Sequence, residues 1–341
     1  MKKKHTQLKD KFSRYLRDIR ISVTDRCNYR CPYCMPEEIY GEKYSFLNRK
    51  EILNFEEILR LLRIFVQFGV DKVRITGGEP LVRQDLDKLV AGIREINDEL
   101  DIALTTNGYL LKQKALKLKQ AGLSRITVSL DSIDDFTYTK MNGGKYGPAK
   151  TLSAIQELDK IGFKKTKINV VVQKGFNDQN FIDVAEYFRD TNKIVRFIEF
   201  MDVGNKNNWE KDKVIPASKI FEIINEKYPI SPISNNYLGE VANRYKYDDG
   251  KGEIGIISSI SQPFCQNCTR GRLSTDGKFI TCLFASGGVD IKSPLRSGAT
   301  DEELIEIIKS SWTSRIDKYS EDRLITSAKN KKKVEMYYIG G

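Results

Sequence analysis

The 341-residue chain has a single histidine, His5, and it lies in a lysine-rich leader, remote in sequence from every cysteine. Histidine is therefore not an obvious ligand for any metal centre the cysteines build. No apolar run reaches the length needed to cross a bilayer, and residues 1–4 are not followed by an apolar signal core. These absences exclude membrane and secreted classes and predict a cytoplasmic protein. There is no concentrated basic tract outside residues 2–4 and 329–333, although the formal net charge is +11. A dispersed excess of lysine reads as solvated surface with a local pocket for an anionic small molecule, so no nucleic-acid partner is expected. Low complexity is confined to the lysine-rich tips, and the one internal repeat is a strand–helix beat.

Against these absences stand six cysteines in two groups of three. Cys27, Cys31 and Cys34 form C-x3-C-x2-C; Cys265, Cys268 and Cys282 form C-x2-C-x13-C. In a reducing compartment such groups bind metal or do redox chemistry rather than form disulfides. Structural zinc wants four closed ligands, usually from C-x2-C pairs, and each group is one ligand short. A [4Fe–4S] cluster on three thiolates, with the fourth iron left open, suits the first group better. Two such groups imply two centres, each with a position for something that is not protein.

Strand-like segments at residues 19–25, 72–76, 101–106, 125–131, 166–172 and 194–201 alternate with amphipathic stretches. One of these is 54–68, with Asn54 as its cap and Ile58, Leu61, Leu62 and Phe65 at helical spacing. Gly69, Gly122 and Gly162 stand where left-handed helix C-caps are expected. Six βα units predict an α/β fold with a parallel sheet, an open doubly wound sheet or a barrel, whole or partial. The parity of the strands adds to this. Ile19, Ile21 and Val23 alternate with Arg20, Ser22 and Thr24, and the same alternation recurs at Val73/Arg74, Val128/Ser129 and Ile168/Lys167. A filled barrel would point branched aliphatics inward. A polar face on successive strands instead implies a wet interior that holds a polar ligand. The beat breaks after Met201. The expected organisation is a leader at 1–14, a core barrel at 15–235 and a C-terminal module at 236–341.

The segment Cys27-Asn-Tyr-Arg-Cys31-Pro-Tyr33-Cys34 after the first strand, and Gly77-Gly78-Glu79-Pro80 after the second, resemble the paired motifs of the radical S-adenosylmethionine superfamily. At finer grain the sequence is similar to the GTP 3′,8-cyclase family of molybdenum cofactor biosynthesis. The similarity is carried by Ser-Val-Thr-Asp-Arg-Cys at 22–27, Arg-Ile-Thr-Gly-Gly-Glu-Pro at 74–80, Leu-Thr-Thr-Asn-Gly at 104–108 and Val-Ser-Leu-Asp at 128–131. Further carriers are Arg-Phe-Ile-Glu-Phe-Met-Asp-Val-Gly at 196–204, Phe-Cys-x-x-Cys-Thr-Arg-x-Arg-Leu at 264–273 and the Gly-Gly tail. It runs from about residue 15 to the end, with Gly at 271 where family members carry Ala.

The resemblance implies a partial (βα)6 TIM-like barrel with a C-terminal iron–sulfur module. It implies two [4Fe–4S] clusters and S-adenosyl-L-methionine as cofactors. The N-terminal cluster, on Cys27, Cys31 and Cys34, would generate a 5′-deoxyadenosyl radical that abstracts the 3′ hydrogen of GTP, giving (8S)-3′,8-cyclo-7,8-dihydroguanosine 5′-triphosphate. The second, on Cys265, Cys268 and Cys282, would hold the guanine. By the family pattern Tyr33, Gly78, Ser129 and Met201 contact S-adenosylmethionine. Arg20, Lys72, Arg74, Lys167, Arg196, Arg270 and Arg272, with Thr105 and Gly271, would meet GTP, and Gly340 and Gly341 would reach the active site. Arg20, Arg74 and Lys167 also share the inward parity, where a cation demands an anion. Implied partners are a flavodoxin-like reductant, a downstream cyclic pyranopterin monophosphate synthase and a second copy in a homodimer. The alternatives are a peptide-modifying radical enzyme, which commonly brings more C-terminal cysteines, and a zinc-binding nucleic-acid module.

Overall fold

The computed structural model describes residues 7–237, 239–323 and 332–340. His5, the lysines at 2–4 and Gly341 lie outside the described residues. The six expected units are present. Their strands are β1 (Asp18–Ser22), β2 (Lys72–Thr76), β3 (Asp101–Thr106), β4 (Arg125–Ser129), β5 (Lys167–Val172) and β6 (Ile194–Glu199). Neighbours pair in parallel in chain order. Their outward side chains, such as Ile19, Ile21, Val73, Val128, Ile168 and Val170, are fully buried beneath the helices. The first, fourth and sixth strands end two or three residues earlier than expected, where the chain turns away to build the loops of the site.

Local signals account for the helices. Asn54 accepts from the Glu57 amide while the Glu57 carboxylate accepts from the Asn54 amide, a reciprocal cap that starts the helix Phe55–Gln67. Gly69, Gly122 and Gly162 have φ of 88°, 101° and 91°, the left-handed geometry that closes a helix without a Cβ penalty.

The C-terminal part contributes β7 (Ile230–Ile233), β8 (Asn243–Tyr247), β9 (Glu253–Ile257), β10 (Arg270–Leu273), β11 (Lys278–Ile280) and β12 (Val289–Asp290). These strands are not a separate layer. β10 pairs in parallel with β1, and β9 in parallel with β6, so eight parallel strands run side by side in the order β10-β1-β2-β3-β4-β5-β6-β9. Antiparallel strands cap both edges, β11 and β12 on one and β8 and β7 on the other. The sheet curves without closing, as an α/β partial TIM-like barrel. The strand order also explains how the second cysteine group, more than two hundred residues from the first, joins the same interior: Cys265 and Cys268 sit immediately before β10, and Cys282 follows β11, which pairs with β10.

Candidate active site

The polar parity produces rows of charge across the parallel strands. Arg272, Arg20 and Arg74 stand side by side on β10, β1 and β2. One step toward the strand starts, Arg270, Asp18, Lys72 and Asp101 form the next row. Lys72 approaches Asp18 at 3.5 Å. Burial alone would push the Asp18 carboxyl up, but Lys72, Arg20, Arg74 and Arg270 together hold it below its ordinary value. Arg74 donates to the Thr105 and Thr127 hydroxyls at 3.0 and 3.3 Å, and Arg196 donates twice to Asn169 Oδ1 at 3.0 and 2.7 Å. Arg20, Arg74 and Arg272 each keep an Nε with no hydrogen-bond partner. Burial pushes Arg196 down to about 9 and Lys167 to about 7, with a neighbouring arginine the next cause in each case. Cations assembled this densely and left unsatisfied are a site for a polyanion.

These residues face a cavity of about 470 Å³. Its walls carry Arg20, Lys72, Arg74, Thr105, Arg196, Met201, Arg270 and Arg272, and also Cys265, Cys268 and Cys282. Cys265 begins a 3-10 turn, the Cys268 amide returns to the Cys265 carbonyl at 3.1 Å, and β10 starts two residues later. Strand alternation then sends Arg270 and Arg272 inward and Gly271 outward. Gly271 has a packing role of its own on the outer face. A Cβ there would meet Phe279 at 2.8 Å and Leu16 at 3.0 Å, so this glycine serves packing behind the sheet and does not line the cavity. Lys167 and Ser129 have inward parity, pairing with Thr127 and Asn169, but neither is on the cavity wall.

The first cysteine group lies at the C-terminal end of β1 and is also off that wall. The Cys34 and Met35 amides return to the Cys31 carbonyl at 2.9 and 2.8 Å, winding the loop into a compact turn. Arg30 gathers the Cys27, Tyr29 and Tyr40 carbonyls at 2.8, 2.8 and 2.6 Å. The Gly78 and Glu79 amides donate to the Thr24 and Arg26 carbonyls, both at 2.8 Å. A Cβ on Gly78 would lie 2.4 Å from the Arg26 carbonyl oxygen, so close approach to the cysteine loop already requires glycine. Glu79 is buried and accepts from the Thr106 hydroxyl and from the Asn107 and Leu81 amides, and burial pushes it up to about 7. Tyr33 donates to Asp131 at 2.6 Å; Asp131 also accepts from the Val171 amide, and burial pushes it up to about 6.

The C-terminal tail returns to this end of the barrel. Lys333 pairs with Asp202 at 2.7 Å, Tyr337 meets Tyr44 hydroxyl to hydroxyl at 2.9 Å, and the short helix Met336–Ile339 packs beside the first cysteine group. Gly340, with φ of 72°, is pressed against Thr76 at the end of β2, where a Cβ would overlap the threonine methyl.

All six cysteines are free, and among the described residues no group of His, Cys, Asp or Glu is arranged to hold a metal ion. Three thiols without histidine or carboxylate are the donor chemistry of an iron–sulfur cluster and not of a four-ligand zinc site. The two settings differ in charge. Burial and then the Glu79 charge push Cys27 up to about 12. Burial would also raise Cys268, but Arg270 and Arg315 with backbone and side-chain donors bring it down to about 6. Asp131, Asn107, Arg30 and Arg315 are not among the residues expected from sequence. Arg30, Asn107 and Asp131 lie inside the segments that carry the family resemblance, but their roles depend on partners: Arg30 on nearby carbonyls, Asn107 on Asn28, Asp131 on Tyr33 and Arg315 on Asp10, 305 residues away.

A fold of this kind, with a three-cysteine loop after β1 and a Gly-Gly-Glu-Pro turn after β2, defines a radical S-adenosylmethionine enzyme. The superfamily's model matches residues 21–188, and a Molybdenum Cofactor Synthesis C model matches 193–321. The chain is 48% identical over 338 residues to the GTP 3′,8-cyclases of Staphylococcus saprophyticus and Staphylococcus aureus strain MRSA252, covering 98% of this chain and 99% of each of those. It belongs to the GTP 3′,8-cyclase family. Among solved structures it is similar in fold to Streptococcus suis SuiB bound to S-adenosylmethionine, with a TM-score of 0.61 and 16% identity over 88% of this chain and 67% of that one.

Proposed function

We propose that this enzyme cyclises GTP to (8S)-3′,8-cyclo-7,8-dihydroguanosine 5′-triphosphate in molybdenum cofactor biosynthesis, with its two cysteine groups serving the two reactants separately. Cys27, Cys31 and Cys34 would hold a [4Fe–4S] cluster, and Cys265, Cys268 and Cys282 a second. With the first cluster and S-adenosyl-L-methionine bound, the site is supplied with the 5′-deoxyadenosyl radical that removes the 3′ hydrogen of GTP. The observation that carries the reading is the placement of the C-terminal cysteines on the same cavity wall as the unsatisfied arginine rows. A nucleotide whose base meets the cysteines and whose triphosphate meets Arg20, Lys72, Arg74, Arg270 and Arg272 would satisfy both.

The chain's own residues then do the following. The arginine rows bind and orient the triphosphate, with Arg196 and Thr105 extending the polar wall and Lys167 adding charge from behind it. Tyr33, held by Asp131, together with Gly78, Ser129 and Met201, would contact S-adenosylmethionine. Met201 lies on the wall of the cavity that the arginine rows face. Gly340, pressed against Thr76 at the end of β2, would help exclude water and quenchers at this end of the barrel, and the expected role of Gly341 falls outside the described residues. The reading includes a flavodoxin-like reductant, a downstream cyclic pyranopterin monophosphate synthase that consumes the product, a homodimer, and a cytoplasmic setting in which the thiols stay reduced. No helix is long and apolar enough to cross a membrane among the described residues.

Anaerobic incubation with GTP, S-adenosylmethionine and a reductant, followed by mass analysis, tests the reaction. Stoichiometric 5′-deoxyadenosine and an isomer of GTP are expected. 5′-Deoxyadenosine without a cyclised nucleotide would overturn the substrate assignment.

A further inference from the structure

Behind the C-terminal cysteine loop lies a buried ion cluster that the proposed reaction does not use. The side chains of Asp10, Arg14 and Arg315 are 0%, 3% and 1% exposed. Arg14 Nε donates to Asp10 Oδ2 at 2.6 Å, and Arg315 Nη1 to the same oxygen at 3.3 Å. Three further bonds go to the cysteine loop, while Arg14 Nη2 and Arg315 Nε have no hydrogen-bond partner. Arg14 Nη1 reaches the Cys265 carbonyl at 2.8 Å, Arg315 Nη1 the Cys268 carbonyl at 3.0 Å, and Arg315 Nη2 the Cys268 sulfur at 3.3 Å. Trp312 donates to the Arg14 carbonyl at 3.2 Å, which fixes the N-terminal segment against the helix Asp301–Thr313.

Two buried guanidiniums share the Asp10 carboxylate. The other carboxylate at hand, Asp317, lies 3.5 Å from Arg315 Nε, is a third exposed, and also accepts from Thr281. Arg270 and Arg272 add further positive charge on the cavity side. Unbalanced buried cations are costly unless an anion completes the site, and here the nearest candidate anion is the cysteine sulfur itself. The N-terminal group has no such donor. Cys27 sulfur receives the Tyr29 amide at 3.4 Å and approaches Asn107 at 3.9 Å, while the Arg30 guanidinium goes to carbonyl oxygens.

We propose that Arg315, held by Asp10 and backed by Arg14, is a positioning residue that fixes the C-terminal cysteine loop and raises the reduction potential of the centre bound there. The inference rests on the reading that Cys265, Cys268 and Cys282 hold an iron–sulfur cluster. A cationic donor on a ligating sulfur stabilises the more negative, reduced state, and hydrogen bonds to sulfur are a recognised control of cluster potential.

The test uses the full chain carrying Cys27→Ala, Cys31→Ala and Cys34→Ala, so that the C-terminal centre alone is observed by iron analysis and potentiometric EPR. About four irons per chain are expected. Adding Arg315→Gln should shift the reduced-to-oxidised ratio at fixed potential about tenfold toward oxidised, equivalent to ~59 mV for one electron. Asp10→Asn should shift it the other way, and Arg315→Lys should return it toward the parent. A merely structural role would lower stability in both single variants without opposite shifts, and unchanged ratios would overturn the proposal. If Arg315→Gln no longer retains iron, the loop-fixing role is supported and Asp10→Asn with Arg315→Lys decide the potential. A parent that binds no iron would overturn the second-cluster reading itself, and this inference with it.

Discussion

The two cysteine groups sit in different electrostatic surroundings. Near the N-terminal group stand two buried carboxylates, Glu79 beside Cys27 and Asp131 beneath Tyr33, with one guanidinium, Arg30, turned to the Cys27 carbonyl. Around the C-terminal group four arginines, Arg14, Arg270, Arg272 and Arg315, outnumber the carboxylates Asp10 and Asp317. Two triplets of the same residue type therefore become different chemical environments through what packs against them. A cluster held by the first triplet, beside two carboxylates, would be the harder to reduce. One held by the second, under the proposed reading, would be stabilised in its more negative state by the surrounding guanidiniums.

The largest expected effect separates the groups outright. Cys34→Ala should abolish both 5′-deoxyadenosine and the cyclised nucleotide under anaerobic turnover, because the radical source is lost. Retention of either product at the wild-type rate would remove the role assigned to that triplet. Next in size is the arginine row. Arg272→Ala removes one charged donor set and should weaken GTP binding by about 2 kcal/mol, roughly thirtyfold in Kd, with iron content unchanged. Calorimetry with an unaltered Kd would place the triphosphate elsewhere.

A smaller effect concerns Lys167. Burial and then Arg196 lower its pKa to about 7, so below pH 7 the amine is mostly charged and above it mostly neutral. A bound polyanion favours the charged form and raises that pKa. GTP binding at pH 8 should therefore take up a fraction of a proton that Lys167→Met abolishes, with little uptake at pH 6. Binding heats in buffers of different ionisation enthalpy measure this directly, and equal uptake at both pH values would exclude Lys167 from the anion field. Smallest, and a control on the comparison, is Asn54→Ala. Loss of the reciprocal cap should cost about 1 kcal/mol of stability in denaturant unfolding, with the ratio of the two products untouched.

Much of the barrel was legible in sequence because strand parity and helix capping are local. Ile19 and Arg20 already point to opposite faces when read as alternation, and Asn54 with Glu57 announces a helix start. The inward cations were legible for the same reason. What was not legible depends on strand pairing across long separations. Nothing near residue 270 says that β10 will lie beside β1, yet that pairing sets Arg272 next to Arg20. The packing of Gly271 against Phe279 and Leu16 follows from that strand too and has no local signal. Gly78 was read toward a ligand, whereas the Arg26 carbonyl already demands the missing side chain. Asp10 and Arg315, 305 residues apart, carry no local signature.

The most direct measurement of the central claim is parallel quantification of 5′-deoxyadenosine and cyclised nucleotide from Cys282→Ala. With separate roles for the two groups, 5′-deoxyadenosine formation from S-adenosylmethionine persists and the cyclised nucleotide disappears. Loss of both products, in a variant that keeps the N-terminal iron, would contradict the division between them.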